Sequence, residues 1–277
     1  MDSVQLIVGS QAGLRILAWP AQSEVRTLPT ELENIHDVRF SPDGRRLLVA
    51  GGRPGESGGV EIFRWPEGDR QLQRTLHSDV IYRVAWRDDG GGWITASGDG
   101  TCCVCSLARP EPEITYTGHS RAVMALCLLP AADLVVSTGL DQTLQVWRAT
   151  TGQHVRTLAN HVAAVHDVAL RPANPTEPEA LPVVASASDD RTLRLWQPTL
   201  GRLVRFRKLP APPRALAWTR DGQQLWAGCQ DGRIRAFQVT DLEPCADEPG
   251  LDGWIHSLVL TGADERPVAG GTGGLTR

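Results

Sequence analysis

Three stretches of the chain each combine a histidine, a hydroxyl residue and an aspartate, the residue types of a nucleophilic catalytic triad. In such a triad a serine or threonine attacks, a histidine takes its proton, and an aspartate orients the histidine. Catalysis needs one exposed nucleophile beside a base and an oxyanion hole, whereas this combination recurs three times. Recurrence favours a structural role, so we predict no catalytic residue and no enzymatic activity. The sets are His77, Thr95 and Asp99; His119, Ser137 and Asp141; and His161, Ser186 and Asp190.

The three sets belong to a repeat of about 41 residues that runs along most of the chain. Each copy closes one strand on a bulky or apolar residue, and these residues are spaced 41 to 49 positions apart. Repetition at a nearly fixed period indicates stacked units that present surfaces rather than perform chemistry. The closing residues are Leu17, Phe63, Cys105, Trp147, Trp196 and Phe237.

Each copy contains four short candidate strands, which we name a to d. Strand a is apolar, as in Val84-Ala85-Trp86, and an Asp-Gly turn such as Asp89-Gly90 follows it in three copies. Strand b is small and apolar, strand c follows the aspartate of the set, and strand d is weaker. Because strands a and b are apolar on both faces of the pleat, each sheet must be covered on both sides. The pattern predicts an all-β fold of four-stranded antiparallel sheets stacked around an axis, a β-propeller.

The repeats resemble those of the WD-repeat (G-beta repeat) family over nearly the whole chain. The residues that carry the resemblance are Gly118-His119, Ser137, Asp141 and Trp147 in one copy, and His161, Ser186, Asp190 and Trp196 in the next. The Trp-Asp dipeptide for which the family is named is absent, since Arg148 follows Trp147 and Gln197 follows Trp196. The resemblance implies one propeller domain over 1–277, with repeats at approximately 1–28, 29–76, 77–118, 119–160, 161–209, 210–252 and, in part, 253–277.

By this resemblance each set is a buried chain of hydrogen bonds, from tryptophan to serine, from serine to histidine and from histidine to aspartate. The groups match, because neutral histidine offers one N–H and one bare nitrogen, serine donates and accepts, and tryptophan only donates. The third repeat carries Cys105 where its siblings have tryptophan, and the sixth carries Phe237 and no matching histidine. We expect these two repeats to rely on packing and to be locally weaker.

Alignment of the strand-a copies places six residues at one equivalent position, which in the family lies near the mouth of the central channel. Such a ring could bind a peptide, an anion or a metal, or it could be a solvated rim. Its histidines come from repeats two, five and seven, too far apart for tetrahedral coordination at 2.0–2.1 Å. We therefore predict no metal and no cofactor, and contact with a protein or peptide partner. The six residues are His36, Tyr82, Met124, His166, Arg214 and His256.

The repeat pattern breaks at both ends of the chain. Val4–Val8 reads as a strand b with no strand a before it, and the last copy stops one residue short of its closing position. We favour a propeller of the seven-bladed type whose ring is incomplete, so that the chain is a fragment. The alternative is a six-bladed ring closed by pairing Ile255–Leu260 with the N-terminal strands.

Charge and hydropathy exclude several kinds of partner. The net charge of −4 creates no global basic field, so we expect no nucleic acid partner. Bases cluster between Arg202 and Arg214 and acids between Thr240 and Asp252, and we interpret both as solvated outer strands. No run of 18 apolar residues is present, so we expect no membrane contact. The glycine-rich segment Gly51–Gly59 lacks the spacing of a phosphate-binding loop, and we interpret it as a mobile loop.

The cysteine and lysine content indicates the cellular compartment of the protein and the kind of genome that encodes it. The six cysteines form no pair of Cys-x-x-Cys motifs, which argues against zinc, and they fit a reducing compartment, so we expect a cytoplasmic protein. Lys208 is the one lysine among 28 lysines and arginines, a bias that indicates a GC-rich and bacterial genome.

Taken together, the residues and the resemblance predict a non-catalytic scaffold that binds a protein or peptide. The chain would be a monomeric propeller or part of a larger chain. One alternative is a propeller enzyme with a metal or cofactor site at the channel mouth. Another is a sensor or scaffold segment of a larger multidomain protein.

Overall fold

The computed structural model describes residues 5–173, 180–272 and 274–275. These residues form 26 strands and a single turn of 3-10 helix at Pro130–Ala132. The strands make seven antiparallel sheets in chain order, and within each sheet every strand pairs only with its neighbours in sequence. The prediction of an all-β fold of the seven-bladed propeller type is confirmed.

The first three sheets follow one another from the amino-terminal side. Sheet 1 contains β1 (Gln5–Ser10), β2 (Gly13–Ala18) and β3 (Ser23–Leu28). Sheet 2 contains β4 (Asp37–Phe40), β5 (Arg46–Arg53), β6 (Ser57–Arg64) and β7 (Arg70–His77). Sheet 3 contains β8 (Ile81–Trp86), β9 (Gly92–Ser97), β10 (Cys102–Ser106) and β11 (Ile114–Tyr116).

Four further sheets follow. Sheet 4 contains β12 (Val123–Leu129), β13 (Leu134–Gly139), β14 (Leu144–Arg148) and β15 (His154–Leu158). Sheet 5 contains β16 (Val165–Leu170), β17 (Val184–Ser188), β18 (Thr192–Gln197) and β19 (Arg202–Lys208). Sheet 6 contains β20 (Pro213–Trp218), β21 (Gln224–Cys229), β22 (Arg233–Gln238) and β23 (Pro244–Pro249). Sheet 7 contains β24 (Ile255–Thr261), β25 (Arg266–Gly271) and β26 (Gly274–Leu275).

The number of sheets decides between the two propeller types considered above. Ile255–Thr261 pairs with Arg266–Gly271, and that strand pairs in turn with Gly274–Leu275. The alternative in which Ile255–Leu260 completes a six-bladed ring by pairing with the N-terminal strands is therefore wrong. Among the described residues, the first and last sheets hold three strands each.

The chain divides into two compact units. The first runs through Pro130 and includes Arg148–Gln153, and the second comprises Ala131–Trp147 and the chain from His154 onward. Within the first unit the opening strands β1, β4, β8 and β12 are successive neighbours. Within the second unit β16, β20 and β24 are arranged in the same way.

Hydrophobic cores lie between sheets 1 and 2, 2 and 3, 5 and 6, and 6 and 7, which explains why strands a and b are apolar on both faces. On β5, Leu47 and Val49 pack toward sheet 1, whereas Leu48 and Ala50 pack toward sheet 3. All four are fully buried. Because side chains of a strand alternate between its two faces, one buried strand serves two cores.

The glycine-rich segment forms part of a hairpin. β5 and β6 remain paired as far as Arg53 and Ser57, and the Gly55 N–H donates to the Asp79 carboxylate at 2.8 Å. A Cβ atom on Gly51 or Gly58 would approach a neighbouring backbone carbonyl oxygen closer than 3.0 Å. These glycines are therefore required by close backbone packing, whereas the sequence led us to interpret them as a mobile loop.

Candidate functional site

The set in sheet 5 contains every bond of the expected chain. The Trp196 indole N–H donates to Ser186 Oγ at 2.9 Å, and Ser186 Oγ lies 2.8 Å from His161 Nε2. His161 Nδ1 lies 2.7 Å from Asp190 Oδ2. A carboxylate only accepts, so Nδ1 carries the proton and Nε2 accepts from serine. His161, Ser186 and Trp196 are buried, which leaves no exposed nucleophile in this set.

The other two sets differ from it in detail. In sheet 4 the Trp147 N–H donates to Ser137 Oγ at 3.1 Å, Asp141 accepts from Thr143, and His119 is buried. In sheet 3, His77 contacts other members of its set, as the sequence suggests. Its Nδ1 lies 2.9 Å from Asp99 Oδ2, and its Nε2 lies 2.7 Å from Thr95 Oγ1.

Sheet 3 lacks a tryptophan on β10, where Cys105 stands, but it has one on the paired strand β9. In sheet 5, Trp196 on β18 faces Val184 on β17, whereas in sheet 3 Cys105 on β10 faces Trp93 on β9. The large and small members of the pair have exchanged strands, and Trp93 is fully buried. The exchange restores volume but not the hydrogen bond, because Trp93 Nε1 has no partner among the described residues.

Four of the six residues at the predicted channel-mouth position lie at the same kind of irregularity in strand pairing. Tyr82, His166, Arg214 and His256 are each skipped in the pairing of their strand with the next strand. Each is thus the extra residue of a β-bulge, a feature that re-aims a side chain away from the regular pleat. His36 directly precedes β4, and Met124 lies partly buried within β12.

In the first unit the structure brings two of these residues together. The rings of His36 and Tyr82 lie edge to face with centroids 5.0 Å apart. Burial, together with the nearby Asp79 carboxylate, raises the pKa of the Tyr82 hydroxyl. The phenol therefore stays protonated and serves as a neutral aromatic surface.

In the second unit a more extensive group forms around Arg214. Arg214 Nη1 donates to His166 Nδ1 at 3.0 Å, and Arg214 Nη2 lies 3.1 Å from Asp189 Oδ1. His166 Nε2 donates to Asp189 Oδ2 at 2.8 Å, and Gln230 Nε2 donates to Asp189 Oδ1 at 3.2 Å. The carboxylate thus orients three donors, and the arginine is held in a single arrangement.

The outer side of Arg214 meets an exposed tryptophan. Its guanidinium stacks over the Trp254 ring at 4.9 Å, and the His256 ring lies 6.1 Å from that of Trp254. Trp254 is 45% exposed, and His256 is exposed beside it. Burial and the charge of Arg214 lower the pKa of His256. We call His166, Asp189, Arg214, Gln230, Trp254 and His256 the Arg214 patch.

Sequence reasoning missed half of this patch. Asp189 and Gln230 each directly precede the aspartate of their repeat, at the position that Gly98 and Leu140 occupy in other copies. A polar residue where other copies have a glycine or a leucine was the available signal. As a result, the Asp189 carboxylate contacts His166, although the six aligned channel-mouth residues include no carboxylate.

Two further aspartates that the sequence did not single out link neighbouring sheets. Asp37 Oδ2 accepts from the Val84 N–H at 2.9 Å, which connects sheet 2 to sheet 3. Asp167 Oδ2 accepts from the Leu216 N–H at 2.8 Å, which connects sheet 5 to sheet 6 in the same way. Each carboxylate satisfies a backbone donor of the next sheet, so the two act as equivalent links.

The described residues show neither a metal centre nor a spanning helix. No group of three or more histidine, cysteine, aspartate or glutamate side chains within 5–173, 180–272 and 274–275 is arranged to hold a metal ion. Over the same ranges no helix is long and apolar enough to cross a bilayer. All six cysteines are free thiols, and five of them are buried.

Seven consecutive antiparallel sheets with cores between their faces define a β-propeller. The family model described as WD domain, G-beta repeat matches residues 70–106, 110–148 and 152–197. Over these three segments the chain consists of WD repeats.

Relatives of the chain are longer WD-repeat proteins. Coronin-7 of Bos taurus is 32% identical over 93% of this chain and 20% of its own length. Nuclear distribution protein PAC1 of Arthroderma benhamiae is 27% identical over 54% of this chain and 34% of its own length. Protein hir-1 of Neurospora crassa is 27% identical over 50% of this chain and 16% of its own length. These relatives are eukaryotic, and a bacterial origin for this chain stays a prediction.

Proposed function

We propose that this protein is a non-catalytic scaffold that binds a protein or peptide partner through the Arg214 patch. The observation that carries the proposal is the exposed Trp254 ring with a fixed Arg214 stacked on it at 4.9 Å. The WD repeats of the chain support the general class, since propellers of this family typically bind proteins.

The composition of the patch suits a binding surface. Tryptophan, tyrosine and arginine are the residues enriched where truncation costs most binding energy at protein interfaces. Arg214 is already oriented by His166 and Asp189, so a partner loses little additional side-chain entropy on contacting it. Trp254 offers apolar area that becomes buried only when a partner covers it.

The test compares two alanine variants on neighbouring residues of one segment. The tagged full chain would be expressed in its source organism, its cross-linked partner identified by mass spectrometry, and the purified pair titrated by calorimetry. We expect Trp254→Ala to weaken binding by about 30-fold or more, the effect of losing a central interface anchor. Val259→Ala removes an equally exposed apolar side chain on β24 and should leave the affinity unchanged. Equal affinities of Trp254→Ala and the wild type would contradict the proposal.

We also propose a cytoplasmic location, supported by six free thiols, five of them buried. Fractionation of cells with an antibody to the chain tests it. Recovery in an extracellular or oxidising fraction would contradict this assignment.

A further inference from the structure

We propose that the outer strand β19 is a second docking surface, which accepts an extended acidic segment of a partner protein as an added strand of sheet 5. We call residues Arg202–Lys208 the β19 edge. The proposal is independent of the Arg214 patch and rests on backbone geometry, charge and exposure.

The β19 edge has one side free for pairing. β19 is the last strand of sheet 5 and pairs with β18 on one side only. The Leu209 N–H donates to Arg191 O, and Arg207 and Arg205 lie opposite Leu193 and Leu195. Hydrogen-bonded and non-bonded pairs alternate along an antiparallel ladder, so the N–H and C=O groups of Phe206 and Lys208 point outward. An added strand would pair with those groups.

The β19 edge also has positive charge that the protein leaves unpaired. Arg205 and Lys208 are exposed and have no ion pair among the described residues. Arg202 donates to the neutral Gln197 side chain, and Arg207 alone pairs with a carboxylate, that of Glu243, at 2.6 Å. Three of the four bases are therefore available to acidic side chains of a partner.

Two other outer strands, β7 and β23, do not share this property. On β7, Arg70 pairs with Glu31 and Glu61, at 2.6 and 2.8 Å. On β23, Asp247 pairs with Arg233 at 2.6 Å. Charge on an outer strand by itself serves to discourage accidental strand pairing. That role does not explain why β19 alone among these three keeps most of its charge unpaired.

Exposed apolar side chains accompany the charge on β19. Phe206 is 62% exposed and Val204 is 39% exposed, and the Arg194 guanidinium lies 5.8 Å from the Phe206 ring. An aromatic ring on an open edge promotes association, the opposite of what protection of an edge requires. An occupant with alternating acidic and apolar residues would neutralise the bases and cover Phe206 at the same time.

A protein segment fits these features better than a polyanion. Phe206 is the one aromatic side chain on β19, whereas single-stranded nucleic acid is held by several aromatic platforms within a basic groove. The net charge of the chain is −4, which opposes the approach of nucleic acid. The outward backbone N–H and C=O groups of β19 can pair with a peptide backbone, which nucleic acid lacks.

The test uses a matched pair of substitutions at Lys208, because this residue's N–H points outward. Lys208→Gln removes the charge, whereas Lys208→Pro removes the charge and the outward N–H while leaving the β18 ladder intact. The probe is a fluorescent peptide of alternating glutamate and valine, titrated into the full chain. We expect saturable binding that weakens with salt. Lys208→Pro should weaken it about tenfold more than Lys208→Gln.

Every other outcome would overturn the proposal. One is binding too weak to saturate below about 1 mM peptide. Others are equal effects of the two Lys208 variants, or equally tight binding of oligothymidine, which would indicate a polyanion site. A concentration-dependent oligomer in sedimentation that Lys208→Pro abolishes would identify the occupant as a second copy of this chain. Trp254→Ala should leave peptide binding unchanged, which separates this surface from the Arg214 patch.

Discussion

His161 and His166 are both buried beside aspartates, and the donors around each ring determine which nitrogen carries the proton. Asp190 requires a proton on Nδ1 of His161, whereas Arg214 donates to Nδ1 of His166 and so places its proton on Nε2. Burial lowers the pKa of both imidazoles, in opposition to the neighbouring carboxylates. Both rings are therefore neutral at neutral pH, and each network depends on that state.

This neutrality predicts loss of stability in acid. A histidine whose pKa is lower in the folded state binds protons more readily when unfolded, so its contribution is complete above about pH 6.5 and declines below it. The pKa of Asp190 is also lowered, because hydrogen bonds from Thr192 and His161 outweigh its burial, and protonation of Asp190 at lower pH acts in the same direction. His77 acts in the opposite direction, because its bond to Asp99 raises its pKa to about 9 against the effect of burial. We expect the two imidazoles with lowered pKa to outweigh His77, so that the free energy of unfolding, measured by urea titration, falls from pH 7 to pH 5.

Substitutions at two histidines, one buried and one exposed, test whether the buried His161 causes the loss of stability in acid. His161→Gln should cost about 1–3 kcal/mol at pH 7, the usual effect of disturbing buried hydrogen bonds, and should flatten the decline between pH 7 and 5. His154→Gln alters an exposed histidine on β15 and should leave the slope as in the wild type. An unchanged slope in His161→Gln would show that this ring does not govern acid stability.

At the scale of strands, the exchange of Trp93 and Cys105 shows that one core volume can be filled from either side of a strand pair. In the register of sheet 5, the same two positions hold Val184 and Trp196. Sequence alignment along strand c alone showed a cysteine where tryptophan was expected. Position-by-position comparison of copies cannot reveal a compensating residue on another strand.

The exchange predicts a specific rescue. Trp93→Val should destabilise the protein by about 3 kcal/mol or more, because it empties a large buried site. Adding Cys105→Trp to that variant copies the arrangement of sheet 5 and lets the indole reach the hydroxyl of Thr95. We expect the double variant to regain most of the lost free energy of unfolding in a urea titration. Cys105→Trp alone should destabilise the protein by overpacking, and strictly additive effects would contradict the exchange.

The sequence pattern predicted the strands but not the β-bulges or the close packing around the glycines. Alternation and Asp-Gly turns located nearly every strand, because both signals act within a few residues. Alignment of the strand-a copies also showed that His166 and Arg214 occupy equivalent positions. That the position is a bulge, and that Asp189 reaches it, depends on pairing between strands that are distant in sequence.

At the scale of the whole molecule, the repeat period predicted the architecture, since seven sheets follow from a unit that cannot bury its faces alone. The hydrogen-bonded sets could be proposed because their members recur. Trp254 could not, because it departs from the repeat rather than following it. The candidate site therefore consists of the residues in which the copies differ, and only the structure shows which of those differences meet.

The links made by Asp37 and Asp167 each act within one compact unit, so we expect their contributions to the free energy of unfolding to be independent. Each carboxylate accepts a backbone N–H from the next sheet within its own unit. Asp37→Asn and Asp167→Asn should each lower the free energy of unfolding by about 1–3 kcal/mol, because an amide replaces one acceptor oxygen by a donor. Independent sites add to within about 0.5 kcal/mol, so the double variant should show the sum in urea titrations. Asp252→Asn, at an exposed carboxylate, should have little effect. A double variant that departs from the sum by more than about 1 kcal/mol would show that the two links are energetically coupled.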